Sequence, residues 1–491
     1  DPPIKLTMFW SEAGGGWPDD YDVSDNPYLN WVEEKANVDL IVTRPEYADF
    51  KTKFSLMMGS GDITDIVHCW FAADVNKYGS EGAFIDWVPY FDKYPIFKKI
   101  YSEEAIELMK TVDGQIYALT ALDDRSGEGV YARIDLINEI NDGKVPITPD
   151  EWYQYMKKIK GKYPDAIPLS STKLKLMEMF FRAYGVSLGE FGASWQFEDG
   201  KFINAFESKN ARKSIEYHRK LYEEGILNQT FATDTAQDHG NKVTNNRVCV
   251  FIGDAGQFVT KAKANYEKAL QGNDTLKDSF CAFIPFPQEP GTNPENVYMR
   301  KSELGFHCMS INSKCKDIDA AIRVVEAFLD PDFKDICAWG IEGIDYVTKA
   351  DGTRVPDLEV MAKSSKCRNY GFMRTYHFKE KLDVQLQTQV FPFIPSELKE
   401  EFLKYWEEGF EILSKQQSEV APYSPLARLP SRPDLAPKIA ESRELSLSIM
   451  FKAIMGEITM EEYDNQVADY LKKYQFITDE YNKMYKEYLA E

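Results

Sequence analysis

Apolar positions along this chain follow two rhythms. Tyr47, Phe50, Phe54 and Met57 recur at helical spacing, and Gly59-Ser60-Gly61 supplies a stop. Ile66 and Val67 then open a run toward Trp70 that polar alternation does not break. The pattern predicts a helix feeding a buried strand, and a continuous apolar strand packed between helices belongs to a parallel sheet. Ligands of open parallel sheets collect at the carboxyl ends of strands, which makes Trp70 a first candidate contact.

The same rhythms predict the rest. Residues 4–10 read as a strand opening into the loop SEAGGGWPDD (11–20), whose glycines fit neither a P-loop nor a dinucleotide fingerprint. Asn26-Pro27 starts a helix with Tyr28, Trp31 and Val32 inward, and 38–42 is a second strand. A helix closes at Gly79, a helical patch ends near Met109, Asp113-Gly114 turns into 115–119, and 130–133 is a strand leaving the first lobe. Thr148, Pro149 and Glu151 form a capping box before the stripe Trp152, Tyr155, Met156 and Ile159. Asp199-Gly200 joins a hairpin over 195–203, and a helix carrying Ile215, His218, Leu221 and Tyr222 stops at Gly225. VCVFI (248–252) is a second buried strand, emerging at Asp254 in a mirror of Trp70. After a connector at 285–296 come a strand at 304–311, a helix at 317–329 and, from about Pro395, long helices with stripes such as Leu398, Phe402, Tyr405 and Trp406, then Tyr463, Val467, Tyr470 and Tyr474.

At 491 residues the chain exceeds one ordinary core, so two α/β lobes are expected. No apolar run reaches the roughly 18 to 20 residues that span a bilayer, and no basic-then-apolar leader opens the sequence; the protein is expected to be cytosolic or to have lost a leader. A net charge of -21, without segregated basic residues, argues against nucleic acid. The 7 cysteines are scattered and never in a C-x-x-C arrangement, which fits buried thiols rather than a disulfide framework or a metal site. The five histidines, His68, His218, His239, His307 and His377, lack paired metal-ligand spacing, and the acidic run DDYDVSDN (19–26) lacks the regular alternation of a calcium loop. Neither a metal nor a cofactor is expected.

Several stretches taken in order resemble the extracellular solute-binding proteins of bacterial ABC importers, in particular the large lipoprotein type that includes alginate- and fructo-oligosaccharide-binding proteins. They are MMGSGDITDIV (57–67), YGSEGAFIDW (78–87), DGQIYALT (113–120), ARIDLINEI (132–140), ITPDEWYQYMKKI (147–159), YEEGIL (222–227) and WGIEGIDY (339–346). The resemblance implies an α/β, two-lobed periplasmic-binding-protein-like fold (type II): discontinuous lobes, hinge crossings and extra C-terminal helices. The expected division is 1–134 with 306–375 and 135–305 with 376–491. It further implies secretion, a lipidated cysteine upstream of Asp1, and a monomer that closes on an oligosaccharide and presents it to membrane permease subunits. Alginate-type relatives carry a calcium loop after the helix expected at 149–160. This chain has Gly161-Lys162-Tyr163-Pro164-Asp165 there, which lacks the required ligand series, so uronate specificity does not carry over.

A sugar offers C–H faces and hydroxyl edges, and its site needs aromatic platforms with carboxylates, amides or arginines beside them. Residues at strand ends and interlobe loops meet that need: Trp10, Glu12, Trp17 and Asp19 from the first loop, Trp70, Arg125 and Tyr131 near the first crossing, and Asp254. Arg374 and Tyr376 in GFMRTYHF join them, as do Glu342 and Tyr346, where Gly340 and Gly343 permit close approach. For Trp17, Arg125, Tyr131, Glu342 and Tyr346 a purely structural role competes equally; Trp152, Trp195 and Trp406 read as core. Alanine at Trp70 is expected to weaken binding without unfolding the protein. No catalytic group is required. The competing readings are a secreted glycoside hydrolase with two carboxylates about 5 to 10 Å apart, a scaffold that binds proteins, and a binder of peptides or amino acids on the same fold.

Overall fold

The structure, a computed structural model, describes residues 2–10, 17–46, 49–111, 113–121, 123–124, 128–171, 174, 177–245, 247–254, 281–298, 300, 302–368, 383–384, 386–391, 396–421, 423–429, 432 and 434–490. The chain forms two units, each from two separated stretches: 1–125 with 302–388, and 126–301 with 389–491.

In the first unit a five-stranded sheet runs in the order Val38–Thr43, Ile4–Phe9, Ile66–Phe71, Phe306–Ile311, Leu119–Thr120. The first three strands are parallel, and Phe306–Ile311 enters antiparallel to both its neighbours. The intervening helices form where the pattern places them. Asn26 caps Pro27–Ala36 by accepting from the Leu29 N–H, and Gly61, at φ 74°, terminates Phe50–Ser60. Phe50, Phe54 and Met58 are buried in a cluster with Phe9, Val67 and Cys69, and half-buried Met57 packs against it; Tyr47 lies outside the described residues. Register between the first and third strands is fixed by a reciprocal clamp. Thr7 N and Oγ1 both donate to Asp65 Oδ2 at 2.8 Å, and Asp65 N donates back to Thr7 Oγ1 at 3.0 Å.

The second unit holds a four-stranded sheet in the order Cys281–Ile284, Glu128–Arg133, Val248–Asp254, Ile167–Leu169. It is mixed, which departs from the parallel sheet expected around 248–252. Only Val248–Asp254 with Ile167–Leu169 is parallel, and Glu128–Arg133 is antiparallel to both its neighbours. A strand buried on both faces is apolar whichever way its neighbours run, so composition did not reveal the direction. The capping box of Thr148 and Glu151 opens Pro149–Lys162 as expected, with Trp152, Tyr155, Met156 and Ile159 buried. The hairpin Trp195–Glu198 with Lys201–Asn204 turns at Asp199 and Gly200, both at positive φ. It docks on the last helix, Met460–Tyr488, where Trp195 Nε1 donates to Thr478 Oγ1 at 2.9 Å. Tyr463, Tyr470 and Tyr474 of that helix are buried in the same core as Trp152, so the tyrosine stripe is packing.

Candidate functional site

Trp10 immediately follows the strand Ile4–Phe9, and its N–H donates to the carbonyl of Thr43, the last residue of the neighbouring parallel strand, at 3.0 Å. The two carboxyl ends therefore sit side by side. Trp17 meets the Trp10 ring edge-on, with centroids 5.9 Å apart, and its Nε1 donates to the Tyr21 carbonyl at 2.6 Å. Trp10 is buried and Trp17 half-buried. Beside both rings stands Arg44, which carries no motif or spacing signal in the sequence. Its guanidinium carbon is 5.2 Å from the Trp17 centroid and 5.9 Å from that of Trp10. Asp19 is exposed, and the adjacent Asp20 pairs with Lys363 at 3.2 Å.

Trp70, at the end of the third parallel strand, is buried. Its ring lies 4.4 Å from that of His307, and His307 Nδ1 is 3.2 Å from His68 Nε2, the two imidazoles stacked within 11° of parallel. These two histidines lie 239 residues apart in the chain, so no spacing rule could join them.

Glu342 and Tyr346 belong to a different arrangement in the same unit. Glu342 is exposed and accepts from the Thr348 N–H at 3.2 Å. Tyr346 is buried, with its ring 4.9 Å from the Arg354 guanidinium, which forks onto Asp335 through two 2.8 Å bonds. The centre of WGIEGIDY is a residue not singled out from sequence, Asp345, which is fully buried. Its carboxylate accepts from Tyr28 Oη at 2.9 Å, Ile341 N at 2.7 Å and Ser364 Oγ at 2.5 Å. Burial, with Asp345 alongside, pushes the Tyr28 phenol far above its ordinary pKa. Gly340 is required here for a local reason: at φ 84° a Cβ would lie 2.2 Å from the Asp345 carboxyl carbon.

In the second unit Tyr131 is fully buried and stacks on Phe251 of the adjacent antiparallel strand, with centroids 5.3 Å apart. Asp254 ends that strand opposite Glu128. At the carboxyl end of the parallel neighbour, Ser170 Oγ lies 3.0 Å from His239 Nδ1. Burial holds the His239 imidazole down at about 4, so it is neutral at physiological pH. Glu12, Arg125, Arg374, Tyr376 and the Asp254 side chain lie outside the described residues. A groove of about 700 Å³ opens in this unit among Lys160, Asn228, Asp234, Lys242 and Arg247. Its wall runs over residues 164–167, before and into the strand Ile167–Leu169, and across 227–230 to the helix Ala236–Thr244, and Lys242 there is already paired with Asp234.

Among the described residues no three His, Cys, Asp or Glu side chains are grouped to hold a metal ion. After the helix Pro149–Lys162, the Lys160 ammonium itself donates to the carbonyl of Pro164 at 2.7 Å. Burial pushes the thiols of Cys69 and Cys367 up to about 12, which makes both poor nucleophiles. At the strand ends of the first unit the described geometry thus brings together two buried indoles, Trp10 and Trp70, the half-buried Trp17 and the mostly buried Arg44 guanidinium.

A family model described as bacterial extracellular solute-binding protein matches residues 22–334. The chain is 22% identical over 335 residues to lipoprotein LipO of Bacillus subtilis (strain 168), covering 66% of this chain and 64% of that protein. It is 24% identical over 358 residues to the fructooligosaccharide ABC transporter substrate-binding protein FusA of Streptococcus pneumoniae serotype 4, covering 66% and 61%. The matched part thus spans less than two thirds of the length of these curated relatives. Among solved structures, an HMO-binding ABC-transporter-associated solute-binding protein from Bifidobacterium longum infantis superposes with a TM-score of 0.73 at 17% identity, covering 99% of each chain. The chain has the two-lobed, discontinuous α/β fold of these proteins.

Proposed function

The chain belongs to the family of bacterial extracellular solute-binding proteins, and on that premise we propose that it captures an oligosaccharide outside the cell and delivers it, unaltered, to the permease of an ABC importer. The observation that carries the sugar reading is the half-buried indole of Trp17, held against the buried Trp10 and beside Arg44 at the carboxyl ends of parallel strands. A ring so placed can stack on the C–H face of a pyranose or furanose, with neighbouring polar groups bonding its hydroxyls. The relatives support the same reading, since FusA is named for fructooligosaccharides and the Bifidobacterium protein for HMO.

In this proposal the ligand contacts both units in a closed state, and its differential affinity for that state drives a hinge motion. The crossings near 125–126, 301–302 and 388–389 supply the hinge. The protein acts as a monomer anchored at the cell surface by a lipid and binds no nucleic acid. Chemistry is not part of the proposal. The test is a thermal-shift and calorimetric screen against fructans, milk oligosaccharides, galacturonans and N-glycan fragments, with the saccharides recovered and sized afterwards. Saturable binding with unchanged chain lengths supports it. Shortened products point to a glycoside hydrolase, and the absence of any thermal shift rejects sugar binding.

A further inference from the structure

We propose that Arg44 is a positioning residue for sugar recognition, acting through Trp10 and Trp17; this deepens the proposed function and rests on it. Arg44 directly follows the strand Val38–Thr43, and Pro45 after it biases its backbone to the extended region. The guanidinium thereby reaches the two indoles at 5.9 and 5.2 Å while its side chain is only 6% exposed. Among the described residues it pairs with Glu46 at 3.1 Å, whose own side chain is 61% exposed, and Arg44 Nε has no hydrogen-bond partner there.

Stability alone does not account for a cation at this place. A buried guanidinium nitrogen without a partner is destabilising, whereas methionine of similar length would fill the gap between two indoles without a desolvated charge. The cation contributes orientation instead. Attraction to both π-faces fixes the angle between the rings, here 85°. The Tyr21 carbonyl pins the Trp17 nitrogen at 2.6 Å, so the indole is restrained by the cation and by its own N–H. A ring already ordered loses less freedom when a saccharide stacks on it, and the saving appears as affinity.

The experiment compares the full chain with its Arg44→Met and Arg44→Lys variants, each labelled with 5-fluorotryptophan. Trp10→Phe and Trp17→Phe assign two of the fluorine resonances. The saccharide probe is whichever of kestose, trigalacturonate and a milk tetrasaccharide raises the wild-type melting temperature most. Arg44→Met is expected to shift or broaden the Trp10 and Trp17 resonances, to melt within about 3 °C of wild type, and to lose roughly tenfold in affinity, as expected when an ordered anchor becomes mobile. Arg44→Lys, which keeps the charge but not the planar fork, is expected to recover part of that loss. Unmoved fluorine signals, or a fall in melting temperature beyond about 3 °C accompanying the affinity loss, overturn the proposal, the latter by showing Arg44 to be ordinary structure. Unchanged affinity in Arg44→Met overturns it while leaving sugar binding intact. If wild type binds none of the probes, the functional reading fails and the role assigned to Arg44 fails with it.

Discussion

Replacing Asp345 with alanine removes the acceptor that ties three segments of the first unit together. The fully buried carboxylate receives the Tyr28 hydroxyl from the first helix, the Ile341 N–H from its own turn and the Ser364 hydroxyl from the helix Leu358–Cys367. Each donor left unmade in the interior costs about 1 to 3 kcal/mol. The two hydroxyls can rotate to other acceptors and recover part of their loss, but the backbone N–H of Ile341 cannot. The nearby Arg368 guanidinium, 4% exposed and donating to the Cys337 carbonyl at 2.6 Å, also loses the closest compensating charge. Together these predict a loss of about 4 kcal/mol, and about half that for Asp345→Asn, which keeps one acceptor oxygen. Because each unit has its own core, urea unfolding is best followed by hydrogen exchange with mass spectrometry, which reports the two units separately. The protection of the first unit is expected to fall while that of the second is unchanged. A loss below about 1 kcal/mol in the alanine variant refutes the reasoning, since even one orphaned donor should exceed it.

Four further outcomes follow. Gly340→Ala places a methyl within 2.2 Å of the Asp345 carboxyl at a φ of 84°, and denaturant titration should show a cost of about 3 kcal/mol or more. Trp17→Ala, at a half-buried ring, should weaken saccharide binding about 10- to 100-fold by calorimetry while shifting the melting temperature little. His218 and His239 are both held near 4, chiefly by burial, against an ordinary 6.5. The unfolded chain therefore takes up these protons first, so their contribution is complete above about pH 6.5 and is lost as pH falls toward 4, at up to about 1.4 kcal/mol per pH unit for each imidazole. Urea midpoints across that window, with His239→Gln flattening the slope, check it. Lys160→Met leaves the Pro164 carbonyl without its ammonium partner and should lower stability by about 1 kcal/mol, measured by thermal melting.

Local signals in the sequence were reliable where the cause is itself local. The Thr148 box, the Asn26 cap, the Gly61 stop and the Asp199-Gly200 turn each depend on neighbours within a few residues, and each forms as read. Interactions closed by distant chain were not legible. Tyr28 and Asp345 are 317 residues apart, His68 and His307 are 239, and Thr7 and Asp65 are 58. Arg44 gave no signal because its partners are ring faces, which leave no spacing pattern. Burial also changes what Trp70 can test. Its ring is packed among Phe9, Val67 and Cys69, so alanine there carries a core cost of about 3 to 5 kcal/mol along with any effect on binding, contrary to the expectation of a fold-neutral change. Half-buried Trp17 separates the two effects.

The central claim, that this protein grips an oligosaccharide without changing it, is tested most directly by calorimetric titration of the full chain with a panel of fructo-, galacturono- and milk oligosaccharides, followed by chromatographic sizing of the recovered sugar. The account predicts one saturable site for at least one of these saccharides and recovery of every sugar at its original length. Heats no larger than dilution across the whole panel, or any shortened product, would contradict it.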